Sequence, residues 1–392
     1  MDKIEELLTR GVDKIYPDRE SLEETLRKGQ KLKLYQGFDP TGTKLHVGHM
    51  AGLRKLRAWQ ELGHSVIFLI GDGTGQAGDP SGKSISRDKF FTREELRQNA
   101  TDYVKQAEKI VRFDGENPVK ILFNGDWLND LKLKDILEIA GHFSWQQLAE
   151  RDLFQERIKK GETLNFREAL YPLLQAYDSV AMDVDLELGG SDQTFNMLAG
   201  RSLMKSMKGK NKFVMTVPLI ADKSGRKIGK TEGNVIALDD IPEDLFGKIM
   251  ALPDEVIVEC FECITTVPVK KVKEIEKEIS GGANPMTYKK ELAFTIVKEL
   301  YDENAAEKAK ENFENTFQKK ETPETPTEIK AEGMLSQILV QEGLFDSNSE
   351  VRRLFDAGAI TDMTDDQKLS PKDSVTKGHI YKIGKHRFIK IK

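Results

Sequence analysis

Cysteine is scarce in this chain, with two in 392 residues, too few for a disulfide framework. Long apolar runs are missing too: no stretch of about eighteen residues is apolar enough to be a membrane span. The opening MDKIEELLTRG alternates charge with leucine and lacks the apolar centre of a signal peptide. These features argue against a membrane protein or a disulfide-stapled secreted scaffold, and a reducing cytoplasm is the expected compartment. A strong charge bias is also absent, because the net charge is −5, and nothing in that total announces a nucleic-acid binder.

The distribution of charge says more than its sum. From Pro371 to Lys392 there are seven basic residues (Lys372, Lys377, Lys382, Lys385, Arg387, Lys390, Lys392) against the single acid Asp373. Cys260 and Cys263 form a C-x-x-C, but no second pair exists and no histidine lies near it in sequence. Ordinary packing in a helix is therefore expected there, rather than a zinc or redox site.

The length implies roughly two or three domains. KLKLYQGF (31–38) reads as a strand, followed by a helix from about His46 to Leu62. SVIFLIGD (65–72) is a continuous β-branched-rich run of the kind buried on both faces of a sheet. Thr92 to Glu95 is a capping box opening a helix to about Phe113, and PVKILFNGDWL (118–128) reads as the next strand. Strands alternating with helices predict a doubly wound parallel sheet, which binds ligands at the carboxyl ends of its strands. From 242 to 318 the apolar period is helical. KKETPETPTE (319–328) has the composition of a linker, and globular patterning resumes from about 331.

Three glycine-bearing stretches compete as nucleotide sites. In the first, His46-Val47-Gly48-His49 puts two imidazoles at i, i+3 on the first turn of a helix. Gly48 clears the backbone for a ligand, and the helix N-terminus favours anions. Capped or exposed histidines are the plain alternative. The second, Ala77 to Ser84, loosely fits a phosphate loop, yet no helix follows until the Thr92 cap, so Lys83 reads as a solvated lysine. The third, Lys223 to Thr231, is a basic glycine loop after an apolar strand at 214–220, with Lys227 and Lys230 suited to phosphate oxygens.

The first and third together carry a resemblance. His46–His49 resembles the HIGH signature, and Lys227-Ile228-Gly229-Lys230-Thr231 the KMSKS loop, of class I aminoacyl-tRNA synthetases. Between them, Tyr171 to Asp178 and Gly189-Gly190-Ser191-Asp192-Gln193 look like motifs of the tyrosyl family, as do Tyr35 to Thr41 and Gly78 to Lys83. The segment 331–392, with Ser349 to Leu354, Gly358-Ala359-Ile360 and Lys377-Gly378, resembles an S4 RNA-binding domain. The chain is thus similar to bacterial tyrosyl-tRNA synthetases of a second subtype.

That resemblance implies an α/β fold with a Rossmann-like catalytic domain at 1–235, carrying an insertion at about 124–165. An α-helical anticodon-binding domain at 236–318, a linker at 319–330 and a small α+β S4-like domain at 331–392 would follow. It implies ATP with Mg2+, L-tyrosine and tRNA(Tyr) as partners, a homodimer formed through the insertion, and no protein-bound metal. Catalysis would fall to His46, His49, Lys227, Lys230 and Thr231. Tyr35 and Asp178 would recognise the phenol, and Asp79, Tyr171 and Gln175 the ammonium group. Asp39, Thr41, Gly48, Gly190, Asp192, Gln193 and Lys230 would line the ATP or adenylate. Arg352, Arg353, Lys377, Lys385 and Arg387 would meet RNA phosphates. Gln36, Gly52, Glu187 and Thr194-Phe195 depart from the commonest bacterial pattern and leave the ribose contacts open. The tryptophanyl sibling, a non-catalytic RNA-binding relative and a phosphate-loop NTPase are the rival readings.

Overall fold

In a computed structural model, the chain forms two compact units. The structure describes residues 2–79, 90–149, 152–163, 165–223, 225, 227–228, 230–231, 234–315, 326–329, 331, 333–345, 348–365, 367–384 and 387–392, without the side chains at 152, 153, 230, 231, 234 and 327. Lys83, Lys385 and most of the expected linker lie outside the described residues.

The larger unit comprises Met1–Gly229, Ala237–Asp239 and Glu255–Ala283. Its sheet contains β1 (Lys14–Tyr16), β2 (Lys33–Phe38), β3 (Ser65–Ile70), β4 (Lys120–Phe123), β5 (Leu186–Gly190) and β6 (Phe213–Val217), in the order β1-β6-β5-β2-β3-β4. All neighbours are parallel except β1 and β6. The chain runs outward from β2 to β4, then crosses back to add β5 on the other side of β2. The order therefore switches between β2 and β5, and the carboxyl ends of those two strands open the crevice where such sheets take ligands.

Helix Val47–Glu61 follows β2, and helix Arg93–Ala107 starts at the expected box: Thr92 Oγ1 accepts from the Glu95 N–H at 3.2 Å, and Glu95 Oε2 accepts from the Thr92 N–H at 2.8 Å. Two boundaries differ from expectation. The helix after Thr92 ends at Ala107 rather than near Phe113. The strand expected at 118–128 stops at Phe123, and Gly125–Leu128 turns into a helix. There the buried Asp72 accepts the Gly125 N–H at 2.7 Å, and Asn124 Oδ1 accepts the Gly73 N–H at 2.8 Å. These side chains take backbone groups that a longer strand would have paired with its neighbour.

Helices Phe166–Met182 and Thr194–Lys208 cover one face of the sheet. Helix Ile257–Ile264 also belongs to this unit, held by Arg10, whose guanidinium donates to Phe261 O at 3.3 Å and Thr265 O at 2.8 Å. Cys260 and Cys263 are both buried in that helix, and burial pushes the Cys263 thiol up to about 12. Neither is poised as a thiolate, and both pack as small apolar residues.

The smaller unit comprises Lys230–Ile236, Asp240–Asp254 and Asn284–Lys392. It contains the short pair β7 (Lys230–Thr231) and β8 (Asn234–Val235), helices Pro242–Met250, Pro285–Leu300 and Glu303–Phe313, and a second sheet. That sheet has β9 (Thr327–Ile329), β10 (Ile360–Asp362), β11 (Gln367–Lys368), β12 (Ile380–Ile383) and β13 (Arg387–Ile391), in the order β11-β10-β12-β13-β9. Thr327–Ile329, compositionally the end of the linker, is an edge strand parallel to β13, with Ile329 buried in the core of the sheet. Helices Leu335–Gln341 and Asn348–Asp356 pack over that core.

Candidate active site

The two histidines at the start of helix Val47–Glu61 cap it reciprocally. His46 is the N-cap, and its Nδ1 accepts the Gly48 N–H at 3.2 Å, while His49 Nδ1 accepts the His46 N–H at 3.0 Å. The ring centroids are 3.9 Å apart. An accepting Nδ1 carries no proton, so each ring is a neutral imidazole with its proton on Nε2. The motif therefore holds two Nε2–H donors at the carboxyl end of β2. A Cβ at Gly48 would come within 2.9 Å of His46 Cε1, so this glycine first makes room for the partner ring.

Across the crevice, a hydrogen-bonded chain joins five elements. Tyr171 OH donates to Asp39 Oδ2 at 3.0 Å, and Thr74 Oγ1 donates to Asp39 Oδ1 at 2.7 Å. Asn124 Nδ2 reaches Thr74 Oγ1 at 2.9 Å and Asp178 Oδ2 at 3.0 Å, while Trp127 Nε1 donates to Asp178 Oδ1 at 2.8 Å. Asp178 is only 2% exposed. Burial pushes its carboxyl well up despite the two donors that favour the charge, and burial likewise raises the Tyr35 and Tyr171 phenols. Asp39, Asp178 and Tyr171 lie close enough to act on one another's charge, as do Asp178 and Tyr35.

Tyr35 and Asp178, expected as a pair, have separate protein partners. Tyr35 OH lies 3.0 Å from Ser179 Oγ. Gln175, one helical turn from Tyr171, donates its Nε2 to Glu187 Oε1 at 2.9 Å. Asp39, expected on the nucleotide side, accepts from the Tyr171 hydroxyl. Asp79 accepts from Gln193 Nε2 at 3.0 Å, which brings the expected ammonium and adenylate residues together. Lys227 Nζ sits 2.8 Å from Asp192 Oδ2. Gly190 ends β5, and Thr41 lies in the bend after β2 with its N–H on Asp39 O at 2.8 Å. Lys230 and Thr231 form β7, and their side chains lie outside the description. Ser179, Thr74, Asn124 and Trp127 were not anticipated, although Asn124 follows β4 at the carboxyl edge where site residues of such sheets gather.

In the smaller unit Arg352, Arg353 and Lys377 are exposed. Arg387 is not available in the same way. Its guanidinium donates to Leu344 O, lies 4.7 Å from the centre of the Phe345 ring and sits 3.7 Å from Asp244 Oδ2. These contacts tie Arg387 into the smaller unit.

Known proteins similar to this chain fall in one family. A family described as tRNA synthetases class I (W and Y) matches residues 27–318. A tyrosine–tRNA ligase of Dehalococcoides mccartyi strain CBDB1 is 37% identical over 397 residues, covering 99% of this chain and 98% of that protein. One from Thermotoga maritima is 38% identical over 392 residues, covering 98% and 96%. Among solved structures, a C-terminally truncated mitochondrial tyrosyl-tRNA synthetase of Coccidioides posadasii is 26% identical with a TM-score of 0.63, covering 79% of this chain and 91% of that one.

Proposed function

The chain belongs to the tyrosine–tRNA ligases among the class I tRNA synthetases, and on that premise we propose how its residues divide a two-step reaction. The tyrosine carboxylate attacks the α-phosphate of ATP, giving tyrosyl-adenylate and pyrophosphate. The 3′-terminal adenosine of tRNA(Tyr) then takes the tyrosyl group. No side chain becomes a covalent nucleophile. ATP enters as its Mg2+ complex, the ion travelling with the triphosphate.

His46 and His49 donate from Nε2 to charge that grows on the α-phosphate, a role supported by the Nδ1 caps that fix their tautomer. Lys227 adds positive charge on leaving Asp192, and Lys230 and Thr231 enter on the motif alone. Tyr35 and Asp178 take the phenol, and Asp79, Tyr171 and Gln175 take the ammonium. Asp39 supports this set through Tyr171, while Thr41, Gly48, Gly190, Asp192 and Gln193 line the adenylate. Arg352, Arg353 and Lys377, together with Lys385, meet tRNA phosphates. The enzyme works in the cytoplasm.

A homodimer would cover the apolar side chains exposed on and beside the insertion. These include Leu133 at 70%, Leu137 at 62%, Trp145 at 60% and Phe166 at 67%. Sedimentation equilibrium tests it, and a monomer at micromolar concentration would count against it.

The observation that carries the functional reading is Asp178, a buried carboxylate on helix Phe166–Met182, held by Asn124 and Trp127, with its charge influencing Tyr35 and Tyr171. A phenol hydroxyl can add a further hydrogen bond to such a group beside those from Asn124 and Trp127, and a phenylalanine ring cannot. The test is amino-acid-dependent ATP–pyrophosphate exchange across the standard amino acids. Exchange should depend on tyrosine, and Tyr35→Phe with Asp178→Asn should erode the preference over phenylalanine. Exchange driven by tryptophan, or no exchange at all, would refute the reading.

A further inference from the structure

Behind the proposed tyrosine pocket lies a charged pair that none of the motifs explains. Tyr35 and Glu187 are register partners on the adjacent strands β2 and β5. Lys212, just before β6, is fully buried, and its Nζ contacts Glu187 Oε2 and donates to Ser179 Oγ at 2.8 Å. Ser179 Oγ in turn lies 3.3 Å from Glu187 Oε2 and 3.0 Å from the Tyr35 hydroxyl. The other carboxylate oxygen, Oε1, takes the Gln175 amide at 2.9 Å.

A buried ion pair is a poor stabiliser, because desolvation offsets the attraction. Here the fold also makes a concession to it. On helix Thr194–Lys208, a Cβ at Gly200 would stand 2.6 Å from Lys212 Nζ, 3.0 Å from Ser179 Oγ and 3.2 Å from Glu187 Oε2. The helix therefore carries at this point a residue that helix interiors disfavour.

Donor and acceptor chemistry shows what the pair can do. A carboxylate only accepts and an ammonium only donates. Gln175 must therefore give its Nε2 to Glu187, which leaves its Oε1 as an acceptor. Ser179 accepts from Lys212, and when it gives its single proton to Glu187 it takes the Tyr35 proton, which keeps the Tyr35 oxygen as an acceptor. A glutamine at 187 would allow either orientation of both groups. We propose that the Glu187–Lys212 pair is a positioning device for the amino-acid substrate. One carboxylate sets both ends of the site, turning Gln175 Oε1 toward the ammonium and the Tyr35 oxygen toward the phenol. The inference rests on the tyrosine-activating reading above.

The experiment is steady-state pyrophosphate exchange with full-length enzyme carrying both Glu187→Gln and Lys212→Met, which removes the two charges together. The KM for tyrosine should rise roughly ten- to hundredfold, while the KM for ATP and kcat stay within about threefold of the unaltered enzyme. Gly200→Ala displaces Lys212 while retaining every polar group, and should shift the tyrosine KM in the same direction by a smaller factor. It carries the test if the double variant does not fold. An unchanged tyrosine KM in a folded variant overturns the proposal. So do equal rises in both KM values with a falling kcat, the pattern of general structural damage. Absence of tyrosine-dependent exchange in the unaltered enzyme overturns the underlying reading, and the inference with it.

Discussion

Gly52 lies inside helix Val47–Glu61, where alanine is ordinarily favoured over glycine by about 1 kcal/mol. At this position a Cβ would stand 2.5 Å from both terminal atoms of Gln36 and 2.9 Å from its Cδ. The Gln36 side chain is itself buried, and its Oε1 has no hydrogen-bond partner among the described residues. Overpacking a buried site typically costs about 1–3 kcal/mol. Gly52→Ala should therefore destabilise the protein by up to about 2 kcal/mol, once the helix gain is subtracted. In a Gln36→Ala background the obstacle is gone, and the same substitution should stabilise by about 1 kcal/mol. The coupling between the two sites is then about 1–3 kcal/mol. Urea unfolding followed by tryptophan fluorescence reads it cleanly, because the three tryptophans, Trp59, Trp127 and Trp145, all belong to the larger unit. Effects that add to within about 0.5 kcal/mol would refute the argument.

Acid sensitivity should trace in part to His64, whose Nδ1 accepts the Leu32 N–H at 3.1 Å. Burial first, and Lys31 second, hold its pKa down from 6.5 to about 4. The unfolded chain thus binds an extra proton between those values. The stabilisation is fully present above 6.5 and lost as pH falls toward 4, at most about 3 kcal/mol. His64→Gln should flatten that limb in urea midpoints between pH 7 and 4.5, and an unchanged slope would exclude the assignment. Arg352→Ala with Arg353→Ala should weaken tRNA binding and lower its salt slope by about 2, whereas Arg387→Ala should lower the stability of the smaller unit and leave that slope alone. The reverse pattern in filter binding would exchange their roles. Removal of 326–392 should leave tyrosine-dependent pyrophosphate exchange nearly intact and cripple tRNA charging. Full charging by the shortened enzyme would rule out an RNA role for this segment.

Sequence patterning reaches the sheet and its signature helix because buried parallel strands such as SVIFLI and a reciprocal cap such as Thr92 with Glu95 are local signals. It overran where a side chain from elsewhere captures the backbone, as Asp72 does at Gly125, since that bond spans 53 positions. Motif residues were legible as a set, but their partners were not. Ser179 looks like any helical serine. Lys212, preceded by Lys210 and Asn211, reads as a solvated lysine, and only the fold shows it buried against Glu187. Helical periodicity is likewise silent about partners: Glu255–Ala283 groups with the larger unit, and Asn284 onward with the smaller. Gln36 and Gly52 read as two unrelated departures from the family pattern, whereas in space they are one event.

The histidine cap makes the reactive end of helix Val47–Glu61 and its first turn a single object. Each ring is held to the backbone by one nitrogen, so neither can pick up a second proton without letting go of an amide. Acid would fray the helix at the moment it charged the motif, and proton shuttling by these rings is closed off by their own anchorage. Truncating either ring likewise removes two things together, a donor to the substrate and a stop for an orphan N–H. Asparagine, among the best side chains at an N-cap, separates the two at His46: it can keep the turn wound while withdrawing the imidazole.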